Sequence, residues 1–311
     1  MSGSTPVPAH NVAIGIDHVG IVGADLDALA TAFAGIGFHL TPVATHGGGR
    51  IANRCVMLRD GGYLELMAVV PGMSSATMDR FLARGPVGCG PVGCGPLGRG
   101  PVGRGPGAHI LALEVANEAA ARERLHRAGI DAEVSLTERD AGQDGAKARF
   151  ALIMPPDPPE GRMLLIRQLT RDLLWRPDTS VHPNHAVALT EVVYATGAPA
   201  EAMSWLSRLT GRPAEPDPLG GYRILLARGC IRILPRAAAG SLFPGAEGGP
   251  ALIGITITVE IPKGATGGIA DATAQATNGY ASDSGVPTGG DASGGVVVAG
   301  GLAIRFIQSP A

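Results

Sequence analysis

Apolar residues in this chain come in short runs, and the runs follow a repeating order. Ile14–Val22 reads as a strand. Leu26, Leu29, Ala30 and Phe33 then recur at the spacing of one helix face, within Asp25–Gly35. Asp25 is placed to accept hydrogen bonds from the first turn, and Gly35 and Gly37 are placed to end the helix. Three strands follow, His39–Thr45, Asn53–Arg59 and Tyr63–Val70. Gly47-Gly48-Gly49 and Asp60-Gly61-Gly62 separate them as turns. The order is β-α-β-β-β.

That order returns. His109–Val115 leads to a helix over Asn117–Ala128, capped by Asn117 and stopped by Gly129, and then to Ala132–Leu136, Ala148–Met154 and Met163–Leu169. A third copy runs through Ala188–Thr196, a helix Ala200–Leu209 stopped by Gly211, Tyr222–Ala227 and Cys230–Pro235. A fourth, eroded copy comprises Ile253–Glu260, a weak helix near Gly267–Thr277, Val296–Ala299 and Leu302–Gln308. Internal repetition outweighs any one propensity argument. It predicts an α+β protein of tandem β-α-β-β-β modules, with one domain over residues 12–175 and a degenerate second over 182–311.

Composition narrows the function classes. The 311 residues are 45% hydrophobic and 17% charged, enough apolar content for a buried core. The net charge is -2 with no basic cluster, which argues against nucleic acid as a partner. No apolar run is long enough to span a bilayer, and Met1–Pro8 has no basic region followed by an apolar stretch. A cytoplasmic protein with no membrane partner is therefore expected. Cys55, Cys89, Cys94 and Cys230 do not form a disulfide framework in a chain of this length. Cys89 and Cys94 belong to a five-residue repeat beginning Gly85-Pro-Val-Gly-Cys89. Its glycine and proline density predicts a Gly/Pro loop over 85–107 rather than a helix or inner strand.

Three of the apolar runs carry an ionisable residue near their centre: His18, Glu65 and His109. Burying such a group unpaired costs several kcal/mol, so a partner is required. Two histidines and a carboxylate on separate strands are a donor set for a divalent metal. Alternation puts His18 and Gly20 on one strand face, with Asp17 and Val19 on the other. It puts Glu65 opposite Leu64 and Leu66, away from the helix. His182-Pro183-Asn184-His185 reads as a turn into the third module.

Four such modules, with Asp17-His18-Val19 near the start of the first and Tyr63-Leu64-Glu65-Leu66 near its end, resemble the vicinal oxygen chelate superfamily. His46-Gly-Gly-Gly-Arg50-Ile-Ala-Asn53-Arg54, Arg139, Arg167-Gln168 and His182-Pro183-Asn184 resemble its glyoxalase-like domain branch over roughly Ile14–Val193. Two features depart from that branch: the Gly/Pro repeat, and His185 where glycine is usual. The resemblance implies half-barrels of the glyoxalase, bleomycin-resistance and dioxygenase type, built around one divalent metal. Carried over by position, the ligands are His18, Glu65 and His109, with Gln168 nearest the fourth corner. Glu65 is also the expected catalytic carboxylate, and Arg50, Asn53 and Arg167 are candidate substrate-orienting groups. The implied activity is a metal-dependent lyase or isomerase acting on a small carbonyl substrate through two adjacent oxygens. The alternatives are a ring-cleaving Fe(II) dioxygenase and a metal-free binding or resistance protein of the same fold. The metal is left open among zinc, nickel, manganese and iron, and a homodimer is left open as well.

Overall fold

The computed structural model describes residues 12–82, 105–140, 145–243, 251–261 and 296–309. The first module comprises β1 (Gly15–Val22), α1 (Leu26–Gly35), β2 (Ala44–His46), β3 (Ile51–Met57), β4 (Tyr63–Val69) and a short helix α2 (Ala76–Leu82). The second holds β5 (Gly107–Glu114), α3 (Glu118–Arg127), β6 (Glu133–Asp140), β7 (Lys147–Met154) and β8 (Arg162–Gln168). The third holds β9 (Ala186–Thr196), α4 (Pro199–Thr210), β10 (Glu215–Pro216), β11 (Tyr222–Leu225), β12 (Cys230–Pro235) and α5 (Arg236–Leu242). The fourth contributes β13 (Leu252–Val259), β14 (Val296–Ala299) and β15 (Leu302–Gln308). The Gly/Pro repeat up to Arg104 and the helix expected near Gly267–Thr277 lie outside the described residues.

Each module pairs its first and last strands in parallel: β1 with β4, β5 with β8, β9 with β12 and β13 with β15. The remaining strands continue antiparallel outward. Two antiparallel seams join the modules in pairs, β1 to β5 and β9 to β13. The two halves meet at Leu252↔Ala108. This is the α+β, half-barrel architecture that the repeated order predicts.

Local chemistry explains the helices. The Asp25 carboxylate accepts from the backbone N–H groups of Asp27 and Ala28, and Asn117 accepts from Ala120. Leu29, Ala30 and Phe33 of α1 are buried. The helix faces of both halves share one core, in which Phe38 touches Phe33 and Phe306 of the fourth module. Two short helices were not expected. Met78 and Phe81 of α2 pack among Val22, Met67, Ile110 and Phe150 on the inner face of the first half. Phe243, just after α5, packs among Val193, Leu234 and Ile253 in the second. No helix among the described residues is long and apolar enough to cross a membrane.

The turn between the halves is tied to the first module. His182 is buried; its Nδ1 accepts the His39 backbone N–H and its Nε2 lies 2.8 Å from the Met57 carbonyl. A carbonyl only accepts, so Nε2 carries the proton and the ring is neutral. Asn184 donates to the Ile36 carbonyl and accepts from the Ala186 N–H. Burial lowers the His182 pKa, and the nearby His39 and Arg59 add to the shift against the opposing bond to Met57. A ring held neutral contributes stability that is complete above the unfolded histidine value of about 6.5 and is lost as pH falls below it. We expect Asn184→Ala to cost about 1–3 kcal/mol by urea denaturation, because buried partners lose their bonds. His182→Gln keeps one donor and one acceptor without titrating. It should show a shallower loss of stability than the wild type between about pH 7 and 5.

Candidate functional site

The inner face of the first half is apolar at the end closed by α2 and polar nearer its middle. β1 supplies the first polar residues through an irregularity. Its register against β5 shifts between Ile16 and His18. A bulge adds a residue to one strand and breaks the alternation of faces. Asp17, expected opposite His18, instead reaches the same side: its Oδ1 is 2.7 Å from His18 Nδ1. Asp17 is fully buried and also accepts from Gln168 Nε2 at 3.1 Å. Asp17 accepts the proton on His18 Nδ1, so Nε2 is the nitrogen turned toward the rest of the cluster.

That nitrogen faces a carboxylate. Glu65 pairs in register with Gly20 on β4, and its Oε2 lies 3.6 Å from His18 Nε2. Asn53, buried on β3, donates through Nδ2 to Glu65 Oε1. His46, at the end of β2, brings its Nε2 to 3.8 Å from the same Oε1, and that nitrogen is buried without a hydrogen-bond partner. Burial pushes the Glu65 pKa up, but His18, His46, Arg139 and the Asn53 bond outweigh it and hold the group below the ordinary glutamate value. Glu65 is therefore an anion at neutral pH.

Aromatic rings surround the pair. Tyr63 stacks on His18 with centroids 4.5 Å apart, and Trp175 meets Tyr63 edge-on. Burial, with Asp17 and Glu65 nearby, holds the Tyr63 phenol well above its usual pKa, so it stays protonated. Burial likewise pushes the Cys55 thiol up to about 12 against the lowering influence of Arg139. Cys55 is not a thiolate nucleophile near neutral pH.

The residues singled out from sequence thus fall into two groups. His18, Glu65, Asn53 and Gln168 come together. His109 lies apart: its ring stacks on Phe81 near α2, and its Nε2 lies 2.8 Å from the Gly105 carbonyl. Burial lowers its pKa against that bond. Arg167 turns outward to Glu118 of α3, and Arg50 is exposed beyond the Gly47–Gly49 turn. Sequence reasoning missed Asp17 and His46 as members of the cluster, and gave Arg139 no role. A signal existed for His46, whose three following glycines all take positive φ and return the chain sharply into β3.

A divalent cation sets a length scale for the donor set. Metal–ligand distances of about 2.0–2.2 Å put neighbouring ligands roughly 3–3.5 Å apart, close to the His18–Glu65 separation. Gln168 Oε1 and Asn53 Oδ1 are buried without partners, and such atoms call for an occupant. No three His, Cys, Asp or Glu side chains among the described residues form a group that could hold a metal alone. His18 and Glu65 therefore fit a cation whose further donors are neutral, with Gln168 Oε1 next in line. A cleft open to solvent adjoins the cluster between Thr41, Cys55, Met57, Arg139, Leu173 and Leu174.

A sequence profile described as a glyoxalase-like domain matches residues 16–210. No curated protein sequence matches the chain. Among solved structures, a hypothetical protein from Staphylococcus aureus superposes with a TM-score of 0.63 at 13% identity, covering 95% of this chain and 100% of the other. A triple mutant of 4-hydroxymandelate synthase from Streptomyces coelicolor gives 0.56 at 14%, covering 96% and 93%. The Mn(II)-bound glyoxalase from Novosphingobium aromaticivorans gives 0.50 at 12%, covering 96% and 83%. Identities this low speak for the fold alone.

Gly20 makes the tight packing beside Glu65 testable. A Cβ there would lie 2.7 Å from Met67 Cε and 2.9 Å from Ile110 Cβ. Gly20→Ala should cost about 1–3 kcal/mol by overpacking. Gly35→Ala, where nothing lies within 4 Å, should be neutral or mildly stabilising in the same urea titration.

Proposed function

Since the chain belongs to the glyoxalase-like domain family of the vicinal oxygen chelate superfamily, we propose that it is a metal-dependent lyase or isomerase acting on a small carbonyl compound with two adjacent oxygens. One observation carries the reading. His18 Nε2 and Glu65 Oε2 face each other at 3.6 Å while the His18 proton is committed to Asp17. An imidazole nitrogen and a carboxylate oxygen at that separation are a donor pair that one divalent cation would join.

His18 and Glu65 would hold the metal, with Gln168 contributing through its carbonyl oxygen. When bound, the cation supplies a Lewis acid for the two substrate oxygens. The chain's own residues do the rest. Asp17 fixes the His18 tautomer and ring plane, as outer carboxylates do for metal-binding histidines. Tyr63 packs against that ring and restricts its tilt. Asn53 holds Glu65 through Oε1. Asp17 is committed to His18 and Gln168, so holding or moving a substrate proton falls to Glu65.

Metal titration of chelator-treated protein tests this. The wild type should take up about one equivalent of manganese, zinc, nickel or ferrous ion. His18→Ala and Glu65→Gln should abolish uptake, and Asp17→Asn should weaken it about 10–100-fold. His109→Gln should leave the stoichiometry unchanged, because its ring packs on Phe81 and bonds Gly105 and not the cluster. A wild type that binds none of these ions after reconstitution would remove the mechanism.

A further inference from the structure

Building on that reading, we propose that the substrate is a carboxylate-bearing carbonyl compound with an apolar substituent, and that Arg139 takes its carboxylate. Arg139 stands on β6, across the inner face from Glu65, and is half-buried. Its Nη2 lies 4.0 Å from Cys55 Sγ, and its guanidinium sits 5.8 Å from the Phe150 ring centre. Neither contact neutralises it, and among the described residues no carboxylate approaches it at ion-pair distance.

Three other half-buried arginines that face inner strands are each matched by a carboxylate. Arg228 reaches Glu114 at 2.7 Å, Arg232 grips Asp217 through two bonds of 2.7 Å, and Arg305 reaches Glu191 at 2.9 Å. Arg139 is the exception among these, a planar five-donor group suited to a carboxylate and left without one. It lines the cleft that adjoins the Glu65 cluster.

The cleft's remaining wall sets the rest of the ligand. Beside Thr41, Thr179 and Arg176, the residues Met57, Leu173 and Leu174 make an apolar stretch of wall, with Val43 and Leu173 exposed at the rim. An apolar substituent would cover them.

Isothermal titration calorimetry with 4-methyl-2-oxopentanoate and its methyl ester as probes tests the assignment. The full chain is used, with manganese and after chelation, and metal content is measured in each sample. Wild-type protein should bind the acid at least about tenfold more tightly than the ester. Arg139→Gln should abolish that preference, and Arg139→Lys should restore part of it. Equal binding of acid and ester by the wild type, no binding of the acid, or an unchanged preference in Arg139→Gln would each overturn the proposal. Metal content separates the two readings. Acid preference through Arg139 in protein that takes up no metal would support the anchor and remove the lyase. Metal-loaded protein without acid preference would do the reverse.

Discussion

A carboxylate on an inner strand face has to be compensated, and in this protein the compensation of Glu65 organises the first half. An uncompensated charge in such a place would neutralise itself by a shifted pKa. Here the shift runs the other way, because donors and cations arrive from four directions. β1 brings His18, the end of β2 brings His46, β3 brings Asn53 and β6 brings Arg139. Three of these elements belong to the same module as Glu65, and the fourth belongs to its partner. The pairing of modules into a half-barrel is thus also what gathers the groups that keep Glu65 ionised.

The second half meets the same problem with different residues. Glu191 pairs with Cys230 across parallel strands as His18 pairs with Tyr63, and Arg232 follows two residues on, as Glu65 does. Where the first half places an imidazole and a carboxylate, the second places a carboxylate and a guanidinium. Glu191 accepts from Arg305 at 2.9 Å and Thr256 at 3.0 Å, while Arg232 holds Asp217. That network closes on itself. It needs no added cation, which accounts physically for a module without histidine in its first strand.

Much of this was legible in the chain, for identifiable reasons. Repeated β-α-β-β-β order was visible because strand and helix periods differ and recur. His18 and Glu65 stood out because each interrupts an apolar run. Asp17 did not, because strict alternation sends it to the wrong face; the bulge that corrects this depends on register with β5, a distant segment. The strand expected over His39–Thr45 is shorter and later, at Ala44–His46. Thr41 instead bonds Cys55 through its backbone N–H and its hydroxyl. α2 and α5 have two turns each, too few to display a helical period. Arg139 belongs to a strand whose neighbours alternate in an ordinary way, and its significance lies in the anion it lacks.

The orientation of His18 can be followed outward from the cluster, and the route explains why the second half matters to the first. Tyr63 stacks on the imidazole, Trp175 meets Tyr63 edge-on, and the Arg171 guanidinium lies 3.8 Å over the Trp175 ring. Arg171 donates to the Gly61 carbonyl at 2.7 Å and stands 3.7 Å from Glu114 at the end of β5. Glu114 is shared with Arg228 of the third module, which also donates to the Ile16 carbonyl beside the β1 bulge. A Cβ on Gly15 would strike Arg228, so the approach is close. Both the ring that supports His18 and the bulge that aims it are therefore braced by a side chain from the second half. A module with no histidine and carboxylate pair of its own still braces the geometry of the pair in the first half.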